Sequence, residues 1–166
     1  MSIIFLDIDG VLNSMPYFES IKDKEKDGKY TEISDYHLRK LAQIYHTCNA
    51  QIVLASTWKE LDDQSNKSAY DMYQYLIRSL EKYDMKIFDK TPDCNVDRPL
   101  EIATWLKSPY AESINFVILD DDFTKKDYAK YGIADHLVQT HFFCENIVEG
   151  GLQQGHVDRA IQILQK

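Results

Sequence analysis

Cysteine is scarce and scattered in this chain. Its three thiols, Cys48, Cys94 and Cys144, form no CxxC pair, so neither a disulfide framework nor a zinc knuckle is indicated, and reduced thiols are expected. No apolar run approaches the roughly 20 residues that a membrane-spanning helix requires, and the first such run stops at Asp7. The N-terminus also lacks the positive segment and small-residue cleavage site of a signal peptide. A cytoplasmic protein with no membrane partner is the expectation. Positive charge is in deficit, with 19 basic against 27 acidic residues and a net charge of −8. That balance disfavours bulk electrostatic binding to nucleic acid while leaving room for a local basic groove. Repeats, low-complexity tracts and interdomain linkers are absent as well. At 166 residues and 44% hydrophobic, the chain fits one domain over residues 1–166.

What is present is a rhythm of short apolar runs and helix-period stretches. Runs at residues 3–6, 52–55, 86–88 and 116–119 read as strands, with a fifth at 136–138. A helix from Ser34 places Leu38, Leu41, Tyr45 and Cys48 on one face. A second helix, opened by the capping-box pattern Ser68-Ala69-Tyr70-Asp71, turns Met72, Leu76, Leu80 and Tyr83 inward. Another begins near Arg98-Pro99. A short one is capped by Thr124 with Asp127 and stops near Gly132, and a last one carries Val157, Ala160, Ile161 and Leu164. Strands that are apolar throughout and alternate with helices predict a Rossmann-like α/β three-layer sandwich with a mainly parallel sheet. Residues 14–31, polar and carrying Lys22, Lys24, Lys26 and Lys29 up to Gly28 and beyond, stand outside the rhythm. They read as a flap over a site or as a solvated loop.

In parallel sheets ligands sit beyond the carboxyl ends of the strands, and polar residues gather there. Asp7 and Asp9 follow the first run, in FLDIDGVLN. Paired acids beside a buried strand are costly unless they hold a cation or perform chemistry. Ser56 and Thr57 follow the second run and offer hydroxyls to a phosphate. Asp120, Asp121 and Asp122 follow the fourth. Arg98, expected at a helix N-cap before Pro99, adds a guanidinium beside free backbone N–H groups. Acids from two strands with a hydroxyl and an arginine between them indicate Mg²⁺-assisted phosphoryl chemistry on a phosphorylated substrate.

Four such features, in this order, resemble the four motifs of the haloacid dehalogenase (HAD) superfamily of phosphatases. FLDIDGVLN, IVLASTWK, Arg98 with Glu101-Ile102 and Trp105-Leu106, VILDDD and the tail VQT…GL…HVDRAIQIL are similar to a cap-less group. That group includes the HAD domains of Swiss army knife RNA-repair proteins. The resemblance covers nearly the whole chain outside residues 14–31 and implies roles. Asp7 is the nucleophile, giving an aspartyl-phosphate. Asp9 is the general acid and then base, its backbone carbonyl also reaching Mg²⁺. Ser56 binds the transferring phosphoryl group, with Thr57 as the alternative one register on. Arg98 neutralises its charge where the superfamily more often has lysine, with Lys90 as a rival. Asp7, Asp9, Asp120 and Asp121 form the metal site, and the division of labour among Asp120, Asp121 and Asp122 stays open.

Each feature alone has a plainer explanation, such as a turn for Asp-x-Asp-Gly or a solvated acidic cluster for residues 120–122. Neither acidic cluster is an EF-hand loop, and Gly28-Lys29 is not a P-loop. His136 and His141 are misspaced for one helix face, whereas His37, His46 and His156 read as helix-surface residues. Trp58 either packs against the fold or stacks on a substrate base, and Trp105 reads as core. Without room for a large cap domain, the site is expected to be open. A nucleic-acid end or another large phosphorylated molecule suits such a site. The competing functions are a non-catalytic HAD-fold regulatory domain and a phosphotransferase.

Overall fold

The computed structural model describes residues 1–24 and 29–166; Lys26 and Gly28 of the lysine-bearing insert lie outside them. Five parallel strands form one sheet in the order β3-β2-β1-β4-β5. They are β1 (Ser2–Leu6), β2 (Ala50–Leu54), β3 (Ile87–Lys90), β4 (Asn115–Asp120) and β5 (Leu137–Gln139). Six α-helices, α1 (Met15–Ile21), α2 (Asp35–Thr47), α3 (Lys67–Glu81), α4 (Arg98–Trp105), α5 (Lys125–Ala129) and α6 (Gln154–Leu164), complete the described fold together with short 3-10 turns.

Successive strand side chains point to opposite faces, and both faces are apolar. Ile4, Leu6, Ile52, Leu54, Val117 and Leu119 join α2, α3 and α6 in one core cluster. Ile3, Phe5, Val53, Phe116 and Ile118 join Ile102 and Trp105 of α4 and Tyr128 of α5 in the other. Phe5 meets Trp105 and Phe116 edge-on, with ring centroids 5.2 and 5.8 Å away. Truncating such a side chain to alanine costs about 3–5 kcal/mol. The result is the Rossmann-like three-layer arrangement that the resemblance implies, with helices on both faces and no large cap domain.

Chain order reverses at β1. The chain passes outward to β2 and β3, then crosses over to β4 on the other side of β1. A crevice outside the carboxyl ends of β1 and β4 is the ligand position this topology creates. Backbone hydrogen bonds run beyond the strands into that region: Asp7 N–H donates to Leu119 O at 3.1 Å, and Thr140 N–H to Asp120 O at 3.0 Å.

Several local expectations are corrected. The N-cap of α4 is Asp97, whose carboxylate accepts from Leu100 N, so Arg98 is the first helical residue. Aspartate outranks arginine at a cap because it can accept from the orphan N–H groups. The cap of α3 is Asn66, two residues before Ser68, and Tyr73 lies deeper than Met72. The third strand is Ile87–Lys90, displaced toward the site. His37 is buried on α2, its Nε2 against Gly150 O at 2.9 Å. Thr124 and Asp127 form the expected capping box. The insert opens as helix α1, with Ser14 as its cap and Pro16 in its first turn.

Candidate active site

Every element of the crevice ends by delivering a polar side chain. β1 delivers Asp7, which is 3% exposed. Its Oδ1 accepts from Ile8 N at 2.8 Å, and its Oδ2 lies 2.7 Å from Arg98 Nη1. β4 delivers Asp120, fully buried, whose Oδ1 takes the same Arg98 Nη1 at 2.6 Å. That oxygen also accepts Asp122 N at 2.9 Å, and Oδ2 accepts the Tyr128 hydroxyl. Arg98 reaches the pair from the first turn of α4, with its Nε donating to Ala55 O at 2.8 Å and Phe123 under its guanidinium.

Asp7, Asp120 and Asp121 can each offer a carboxylate oxygen within 4.8 Å of the others. Gly10 makes room for this. Its φ is +73°, and a Cβ there would lie 2.1 Å from Asp121 Cγ, so any other residue would be strained and would displace that carboxylate. Three hard oxygen donors, two of them buried, can coordinate a divalent metal ion. Burial pushes the Asp7 carboxyl from its ordinary 3.8 up to about 7; Arg98 opposes this and Asp120 adds to it. Burial, then Asp120 and Asp122, raise Asp121 to about 6. Burial works against the Arg98 charge, yet Asp7 and Asp120 hold it above its ordinary value. Too many negative groups share too little solvent, and a cation relieves that excess.

Asp9 lies apart from this cluster and is exposed. Its Oδ1 accepts from Asn13 Nδ2 at 2.8 Å and its Oδ2 from Trp58 Nε1 at 2.9 Å. Only its backbone carbonyl is implicated in metal binding by the resemblance. Ser56 is buried at the end of β2 and caps the 3-10 turn Thr57–Leu61, accepting from Trp58 N at 3.4 Å. Thr57 is exposed on the same turn. Lys90 is turned elsewhere: its ammonium meets Asp62 at 2.5 Å and the Tyr73 ring at 4.4 Å. Asp122 is exposed and contributes its backbone N–H to Asp120.

Asn13, Tyr128 and the direction of the Trp58 indole N–H escape a reading of the sequence. Trp58 is packed in the core, yet its one polar atom points at Asp9. Asn13, inside the first motif, is the signal that could have been followed, because a buried amide needs several partners. Tyr128 supports Asp120, and burial followed by the Asp120 charge raises its hydroxyl pKa. Lys59, next to Trp58, is buried against Glu101 at 2.6 Å.

Among the described residues no helix is long and apolar enough to cross a membrane. Neither the curated proteins nor the solved structures contain a match to the chain. Residues 3–144, which include every residue of the crevice, match the family described as the HAD domain in Swiss Army Knife RNA repair proteins. A match over that much of the sequence, on a fold with its carboxylates at the β1–β4 crevice, places the chain in the HAD superfamily, within this family of HAD domains.

Proposed function

We propose that the chain is a Mg²⁺-dependent phosphomonoesterase that works through an aspartyl-phosphate on Asp7. The observation that carries this reading is the surplus of carboxylate around a single arginine at the β1–β4 crevice. A structural ion pair needs only one carboxylate for one guanidinium. Magnesium, held by Asp7, Asp120, Asp121 and the Asp9 carbonyl, would supply positive charge against the phosphoryl oxygens.

An Asp7 carboxylate oxygen attacks phosphorus, the ester P–O bond breaks, and its electron pair stays on the leaving oxygen. Asp9 gives that oxygen a proton. Water then attacks phosphorus while the Asp9 carboxylate takes a proton from it, the bond to Asp7 breaks with its electron pair staying on the Asp7 oxygen, and inorganic phosphate leaves. Arg98 and the Ser56 hydroxyl steady the transferring group throughout. The absence of a large cap favours a bulky phosphorylated substrate. The family's description directs attention to a nucleic-acid end, against which the net charge of −8 weighs.

The test is Mg²⁺-dependent phosphate release from an aryl phosphate by wild type, Asp7→Asn and Asp9→Asn, followed by oligonucleotides phosphorylated at either end. Activity that requires Mg²⁺, disappears in Asp7→Asn and is reduced but still measurable in Asp9→Asn is the expected result. Product transferred to an added alcohol in preference to water would make the protein a phosphotransferase. Mg²⁺ binding without turnover on any substrate would make it a regulatory binding domain.

A further inference from the structure

Trp58 is an unusual core residue. Its ring is 6% exposed and packs in the cluster beneath the sheet, which explains why a large aromatic stands there but not where its N–H goes. An indole has one donor and no acceptor. Here that donor reaches across 49 positions to Asp9 Oδ2 at 2.9 Å, a carboxylate that is itself exposed. Any buried indole N–H needs an acceptor; here the acceptor is a carboxylate of the first motif, which ties the ring to the crevice.

The other oxygen of Asp9 is held as firmly. Asn13 is fully buried, and its amide is committed at both ends. Its Oδ1 accepts from Gly10 N at 2.9 Å, while its Nδ2 donates to Asp9 Oδ1 at 2.8 Å and Glu32 O at 3.0 Å. Asp9 thus has one rigid neutral donor on each oxygen, fixing the plane of its carboxylate. Each oxygen keeps a second lone-pair direction for a reacting proton.

The turn that presents Trp58 is anchored on both sides. Ser56 Oγ accepts the Trp58 backbone N–H at 3.4 Å. One residue further on, the Lys59 ammonium is buried against Glu101 Oε2 at 2.6 Å, Thr91 Oγ1 at 3.2 Å and Pro92 O at 3.1 Å. The turn that offers Ser56 to the phosphoryl group therefore also carries the arm that orients Asp9.

We infer that Trp58 is a positioning residue that aims the Asp9 carboxyl at the leaving-group oxygen, an inference resting on the general-acid reading of Asp9. Proton delivery matters most when the leaving group is a poor one, because an alkoxide needs the proton and a nitrophenolate hardly does. A misaimed acid therefore has a signature that a loosened core lacks.

Trp58→Phe removes the N–H and keeps most of the ring; benzothienylalanine at position 58 keeps the whole bicycle and serves if phenylalanine unsettles the fold. Both are expected to lose roughly tenfold or more in kcat/KM on an alkyl phosphate, with a markedly smaller loss on para-nitrophenyl phosphate. In an Asp9→Asn background, Trp58→Phe is expected to add almost nothing. Independently of turnover, the indole N–H proton resonance assigned by Trp58→Phe should move in Asp9→Ala. Equal losses on the two esters, a full additional loss in the Asp9→Asn background, or an unmoved resonance would overturn the inference. Failure of the underlying reading looks different: Asp9→Asn would itself lose activity equally on both esters, and the inference would fall with it.

Discussion

Two buried ion networks share helix α4, and only one of them has the character of a site. Three residues after Arg98, Glu101 pairs with Lys59 in surroundings where one positive charge meets one negative charge. The ammonium's three protons have three acceptors, and Glu101 also accepts from Thr91 Oγ1 at 3.0 Å and Cys94 N at 3.3 Å. Nothing in that arrangement calls for a ligand. Arg98, by contrast, faces Asp7 and Asp120 at once, with Asp121 beside them. Burial of charge is common to both networks. Imbalance belongs to one, and it is imbalance that an added cation and a phosphoryl group could satisfy.

Breaking each network should have different consequences. Arg98→Met is expected to reduce phosphate release by roughly a thousandfold, the scale for losing a preorganised charge at a developing anion. Replacing both members of the other pair, as Lys59→Met with Glu101→Leu, should leave turnover within about tenfold of wild type. A comparable collapse in both would erase the distinction.

Stability should tell a complementary story. Lys59→Met alone strands Glu101 and is expected to cost about 3–5 kcal/mol, whereas the double replacement recovers most of that loss. Urea unfolding of the two variants measures it. A double variant no better than the single one would mean that the hydrogen bonds to Thr91 and Cys94, not the charge pair, dominate that corner.

The pH dependence sharpens the contrast further. Asp7 keeps its proton up to about 7 in the folded, metal-free protein, against an ordinary 3.8 once unfolded. Between those values the native state binds more protons, so the contribution from Asp7 falls as pH rises, and the loss is complete above about 7. Asp121 acts in the same direction up to about 6. Without metal, thermal midpoints of wild type relative to Asp7→Asn should therefore decline over this window. The rise in Tm on adding Mg²⁺ should grow over it, because the cation needs ionised carboxylates. A Mg²⁺ effect independent of pH would contradict the assignment.

The smallest effects should come from residues at the margin. Ser56→Ala is expected to raise KM by roughly tenfold through loss of one hydrogen bond to a charged group. Thr57→Ala and Lys90→Ala should change it by no more than about twofold, since Thr57 is exposed and Lys90 is engaged with Asp62. Reversed magnitudes for Ser56 and Thr57 would shift the phosphate contact by one register.

Much of this arrangement was legible in the sequence, for a physical reason. Buried parallel strands are continuous apolar runs, and their polar successors mark the crevice, so Asp7, Ser56 and Asp120 could be located one strand at a time. The Thr124–Asp127 cap is equally local. What could not be read depends on contacts between distant elements. The bond from Trp58 to Asp9 and the burial of His37 against Gly150 arise only when separate segments pack together. Arg98 sits one position later in its helix than the N-cap that the sequence predicts, because Pro99 also suits the second helical position. The closed Lys59–Glu101 pair shows the same limit from the other direction, since two charges 42 positions apart give no sign of each other in a one-dimensional pattern.

The most direct test of the central claim is acid quenching during turnover of an aryl phosphate with Mg²⁺, followed by peptide mass analysis. A phosphoryl group on the peptide carrying Asp7, absent in Asp7→Asn and without Mg²⁺, is the predicted result. Steady phosphate release by Asp7→Asn at the wild-type rate, or a phosphoryl group found on another residue, would contradict it.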